Sequence, residues 1–197
     1  MTPINETEKR FLNRALDILK ECEPSMEHLG TFYSGFYPVL HVKYQGIEYI
    51  FKSALRILDN ELLPNEARIL RDLKDVKGIT HLIQTYKTKK HLKAILKEFF
   101  PGRKLGAEEK IKSELLQKKL EDTIREIHEA GYAQLDIHEG NIIISYDQED
   151  VCFVDPIQEL TRAENSERKR DRDKCLLRRI FYQPHQPHNN LIHALII

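Results

Sequence analysis

"AGYAQLDIHEGNIIISYDQEDVCFVDP", residues 130–156, places Asp136 and Asp155 nineteen positions apart, each beside a short apolar run, with Asn141 five residues after the first. Strand propensity disfavours acids and amides, so polar groups at the ends of the strand-like runs 142–145 and 151–154 need a reason other than the sheet. Upstream, Leu116, Leu120, Ile124 and Ile127 recur at helical spacing, and Gly131 is placed to end that helix. The stretch reads as helix, loop and hairpin, with its polar residues gathered where the hairpin meets the loop.

Working outward, 197 residues with 41% hydrophobic content can bury a core, as one domain or as two small lobes. Lysine plus arginine equals aspartate plus glutamate at 31 each, so no global field draws in nucleic acid or an anionic membrane. Any anion site has to be local. Cys22, Cys152 and Cys175 are odd in number and widely spaced, which argues against a disulfide framework or a structural zinc site and for thiols in a reducing cytoplasm. No apolar run approaches the roughly 20 residues of a membrane span. His185, His188 and His193 fall in a proline-broken tail.

Toward the N-terminus, Phe11, Leu12, Ala15, Leu16 and Leu19 mark an amphipathic helix over 5–21. Residues 29–52 are rich in aromatic and β-branched side chains and predict three antiparallel strands, two of them joined by a tight turn at Gln45-Gly46. A helix starting at Pro64 follows, with Ala67, Leu70 and Leu73 on one face, then strands at 82–86 and 93–99. "FFPGRKLG" breaks the pattern and reads as a linker. Leu176, Leu177, Ile180 and Phe181 suggest one closing helix. Asp171 or Asp173 is placed to cap it or to bond the loop around Asp136.

In this order the residues resemble the protein-kinase-like superfamily, and in their compactness its small RIO-type and lipopolysaccharide-kinase-type members. Lys52 ends the third strand in "YIFKSA", Glu66 lies on the next helix in "NEARIL", "LDIHEGN" holds Asp and Asn at the family's spacing, and "FVDP" supplies the downstream Asp. A lone Asp-x4-Asn is usually a turn, and a lone strand-end lysine is usually solvated. Only the ordered set is specific. The resemblance implies an α+β bilobal fold, with an N-terminal lobe over 1–98, a hinge near residues 98–104 and a minimal C-terminal lobe over 99–197. It also implies ATP between the lobes and Mg2+ on Asn141 and Asp155. Lys52 would contact the α- and β-phosphates, Glu66 would pair with it, Asp136 would take the acceptor's proton, and Glu98 would line the nucleotide hinge. The acceptor it suggests is a protein Ser or Thr, or the chain itself. The alternatives are a nucleotide-binding pseudokinase or scaffold, and a small-molecule kinase with an acidic or hydroxyl-rich pocket beside Asp136.

The departures are equally specific. No G-x-G-x-x-G precedes Lys52, which leaves Ser34 and Gly35 as the phosphate-loop residues. Gln134 and Leu135 stand where the family has His and Arg, and Pro156 replaces the Phe after the metal-binding Asp. Asp155 is followed by 42 residues (197 − 155), and the C-terminal lobe is expected to be small. His128 and His138 flank Asp136. One reads as a helix end and the other as a loop residue, rather than as metal ligands.

Overall fold

The computed structural model describes residues 5–34, 37–56, 59–88, 91–155 and 167–181. Its first element, α1 (Glu6–Cys22), is opened by a capping box, in which Asn5 Oδ1 accepts the Glu8 N–H while Glu8 Oε2 accepts the Asn5 N–H. The apolar stripe of α1 lies on an antiparallel sheet of five strands: β1 (Glu27–Ser34), β2 (Tyr37–Tyr44), β3 (Ile47–Ser53), β4 (Leu82–Lys87) and β5 (Leu92–Glu98). Their order is β1-β2-β3-β5-β4. Period-two alternation decides which side chains meet α1: Leu40 and Val42 of β2 are buried with Ala15, Leu19, Phe51 and Leu96. Between β2 and β3, Gln45 and Gly46 take φ of 50° and 84°, the left-handed pair that a two-residue hairpin requires.

Helix α2 (Asp59–Asp72) packs Leu63 and Ala67 on Leu92 and Ile95 of the sheet. It begins before Pro64, the residue expected to start it, because Asp59 accepts the N–H groups of Leu55 and Arg56 and fixes the entry a turn earlier. Pro64 then lies in the second turn, where it forgoes the intrahelical bond its missing N–H would make to the carbonyl four residues before it.

A second core joins the far end of α2 to the rest of the chain. Leu70 and Leu73 meet Leu120, Ile124 and Ile127 of α3 (Glu114–Glu129), with Leu177 and Ile180 of α4 (Glu167–Ile180) closing the cluster. Each such side chain contributes about 1.5–3 kcal/mol on burial, so this stripe fixes where α3 lies. A small sheet runs β6-β7-β8: β6 (Gly102–Lys104), β7 (Ile142–Ser145) and β8 (Val151–Phe153). β6 lies within the stretch read as a linker. Pairing of Arg103 with Ile144 turns part of it into a strand, which proline and glycine on either side conceal. Among the described residues no helix is long and apolar enough to cross a membrane. Cys152 sits inside β8, where burial pushes its thiol up to about 12 and leaves it inert at neutral pH.

Candidate functional site

The loop after α3 is fixed from beneath by a carboxylate. Asp173 of α4 is fully buried and accepts the N–H groups of Gln134 and Leu135, each at 2.9 Å, and bonds His128 Nε2 at 2.9 Å. Gln134 takes φ of 63°, a left-handed conformation that these bonds hold in place. Asp173 was one of two aspartates expected to bond the loop. Its histidine partner, at the end of α3, was not foreseen.

Asp136 follows at the cleft. Asn141, in the 3-10 turn Glu139–Asn141, donates from Nδ2 to the Asp136 backbone carbonyl (3.0 Å), to Asp136 Oδ2 (3.2 Å) and to the Asp155 carbonyl (3.2 Å). One amide thus ties the loop aspartate to the aspartate after β8. Its nitrogen is spent on these bonds, and its carbonyl oxygen is the atom left to accept. His138 caps the turn. Its Nδ1 accepts the Gly140 N–H at 3.1 Å, which places the ring proton on Nε2, 3.5 Å from Asp136 Oδ2.

Opposite lies an ionic ring. Lys52 Nζ is 2.8 Å from Glu66 Oε2 and 3.4 Å from Asp155 Oδ1. Lys97 Nζ, from β5, is 2.8 Å from Glu66 Oε1 and 2.7 Å from Asp155 Oδ1. Burial alone would lower both lysines, but Asp155 first and Glu66 second outweigh it and hold both above the usual ammonium value. For Asp155, burial pushes upward and the two ammonium groups more than reverse it, holding the carboxyl far below the ordinary range. Lys97 was not expected here.

Two cavities meet at Lys52. One, of about 250 Å³, is lined by Val39, Ile50, Phe99, Ile143 and Val154 as apolar walls, with Lys52, Lys97, Asn141 and Asp155 at its polar end. The other, of about 270 Å³, is lined by Lys52, Ser53, Arg56, Asp59, Glu66 and Asp136. Lys52, Glu66, Asp136, Asn141 and Asp155 are therefore gathered around one cleft. The Glu98 side chain is not among them, since its Oε2 is taken by His81 Nδ1 at 2.7 Å. Ser34 ends β1 opposite Tyr37, and Gly35 lies outside the described residues, as do Pro156 and the histidine-containing tail. Asp155 and the Asn141 carbonyl oxygen are hard donors that fit a small divalent cation. Among the described residues no group of three His, Cys, Asp or Glu side chains is arranged as a metal cage.

This α+β architecture, a five-stranded antiparallel sheet packed by α1 and α2, with a three-stranded sheet, α3 and α4 beyond the cleft, is a protein-kinase-like fold. Among solved structures it is similar to the Cydia pomonella granulovirus kinase PK-1, with a TM-score of 0.55 and 11% identity over 73% of this chain. The chain spans 55% of that kinase's length. No family model and no curated protein matches the sequence.

Proposed function

We propose that the chain is a Mg-ATP-dependent phosphotransferase that delivers the γ-phosphoryl group to a hydroxyl. The observation that carries this reading is the Lys52–Glu66 pair at 2.8 Å facing Asp155, with Asn141 bridging Asp155 to Asp136. The apolar cavity accepts the adenine base, and Lys52 meets the phosphates at its polar end, held in direction by Glu66. Asp155 and Asn141 would hold Mg2+, which would neutralise charge on the phosphate oxygens. Asp136 orients the acceptor hydroxyl and receives its proton as the new oxygen–phosphorus bond forms, the bond to the bridging oxygen breaks, and ADP departs. Asp173 and Asn141 keep that carboxylate in place.

The acceptor assigned first is a Ser or Thr of a protein, including this chain. The cavity beside Asp136 favours a second reading, a small hydroxyl compound, because Ser53, Asp59, Asn65 and Glu66 offer it hydrogen-bonding groups. Thermal denaturation with and without Mg-ATP tests the nucleotide site: the intact chain is stabilised by several degrees, and Asp155→Ala abolishes the shift. An undiminished shift in that variant would remove Asp155 from the site. Binding by the intact chain with no transfer to any acceptor would leave a pseudokinase.

A further inference from the structure

Lys97 is more than the phosphotransfer reading requires. The superfamily pattern asks for one lysine against the glutamate and the downstream aspartate, and Lys52 meets that need. Lys97 is 3% exposed, and its Nζ donates to Glu66 Oε1 (2.8 Å), Asp155 Oδ1 (2.7 Å) and the Val154 carbonyl (3.3 Å). An ammonium has three protons, and these three acceptors use them all. No donor is left for a ligand. Its partners are instead the two carboxylates, so that Lys52, Glu66, Lys97 and Asp155 close a ring of alternating charge that sums to zero.

The charge balance has a consequence for cations. With Lys52 alone, the two carboxylates would leave the ring at −1 beside the Asp136 carboxylate of the same cleft, and a divalent cation would be drawn to Asp155 whether or not a nucleotide was present. With Lys97 in place the ring's own share of that attraction is cancelled, and the ammonium holds Asp155 Oδ1 at 2.7 Å while the contact of Oδ2 with Lys52 is longer, at 3.5 Å. A dication must then arrive with further negative charge. We infer that Lys97 is a resident counter-ion that makes divalent-cation binding at Asp155 conditional on nucleotide phosphate. This rests on Asp155 being the metal ligand of the proposed phosphotransferase.

Mn2+ alone is the probe, titrated into the full chain without nucleotide and read by electron paramagnetic resonance. The intact chain shows no site at Asp155, whereas Lys97→Met gains Mn2+ affinity by at least about tenfold. Adding Asp155→Ala to that variant removes the gain. Should Lys97→Met not fold, Lys97→Gln, which removes the same charge but keeps a side-chain donor in the ring, is compared with the intact chain, and the same gain is expected. No gain in either comparison overturns the inference, as does nucleotide-free Mn2+ binding at Asp155 of the intact chain. If the intact chain binds Mg-ATP and only the gain is missing, Lys97 has been misread. If Mg-ATP does not bind at all, the phosphotransferase reading falls with it.

Discussion

Asp173 and Leu135 are 38 residues apart in the chain, yet the Leu135 N–H donates to Asp173 Oδ1 at 2.9 Å in the buried interior. The same carboxylate accepts from Gln134 and bonds His128, so three groups depend on one side chain. Each orphaned buried donor costs about 1–3 kcal/mol. Asp173→Ala is expected to lower unfolding free energy by about 3 kcal/mol or more in urea titrations. A change below about 1 kcal/mol would mean that the loop is anchored elsewhere.

A second prediction concerns Gly78, in the connection between α2 and β4. Its φ is 76°, and an ideal Cβ there would stand 2.2 Å from Thr123 Oγ1. Its carbonyl also accepts the Phe153 N–H at 2.8 Å, at the root of the hairpin that carries Asp155. Gly78→Ala combines backbone strain with a clash and is expected to cost about 2 kcal/mol or more. Pairing it with Thr123→Ser, which keeps the hydroxyl, should recover little. Full recovery would locate the cost in the Thr123 methyl.

The ionic ring sets a pH dependence. Asp155 is held below its ordinary 3.8, so its stabilising contribution is present above that value and is lost as pH falls through the lower folded value. Lys52 and Lys97 are held above 10.5, so theirs are complete below 10.5 and fade only as pH rises through the higher folded values. The Tm difference between the intact chain and Asp155→Asn should accordingly stay level from about pH 5 to 9 and narrow below about 3.8. A difference that already narrows between pH 7 and 5 would contradict the depressed carboxyl.

Helix α2 is tied to the loop region by Tyr132, whose hydroxyl donates to Asp72 and accepts from Arg68 Nη1, the latter at 3.1 Å. Tyr132→Phe keeps the packing and removes both bonds. Its expected cost is about 1–2 kcal/mol in stability, and turnover should fall more than Mg-ATP affinity, because Glu66 rides on the same helix. Equal losses in both would argue against transmission through α2.

Asp136, Asn141 and Asp155 were legible because their signal is local: a five-residue spacing, a helix stop at Gly131 and two short apolar runs lie within one stretch of chain. Lys52 and Glu66 followed from order along the chain. Lys97 was hidden by the strand's own pattern. In "LKAILKE" it stands four residues after Lys93 and reads as part of a solvated face, but β5 is flanked by β3 and β4, and α2 brings Glu66 over it. Only those long-range pairings bury it. His128 does stand in the last turn of α3, as its position in the sequence indicates, but its bond to Asp173 is hidden for the same reason, since that partner lies 45 residues away. β6 was missed because Pro101 and Gly102 signal a turn, while its pairing partner in β7 is remote.

Transfer of labelled γ-phosphate from ATP, with Mg2+ and a mixed protein acceptor or the chain itself, tests the central claim most directly when the intact chain is compared with Asp136→Asn. The intact chain is expected to transfer label, and Asp136→Asn to transfer at least about a hundredfold more slowly while its Mg-ATP affinity stays within a few-fold, because that carboxylate faces the acceptor. Equal rates from both proteins, or no label on any acceptor from an intact chain that binds Mg-ATP, would contradict the account.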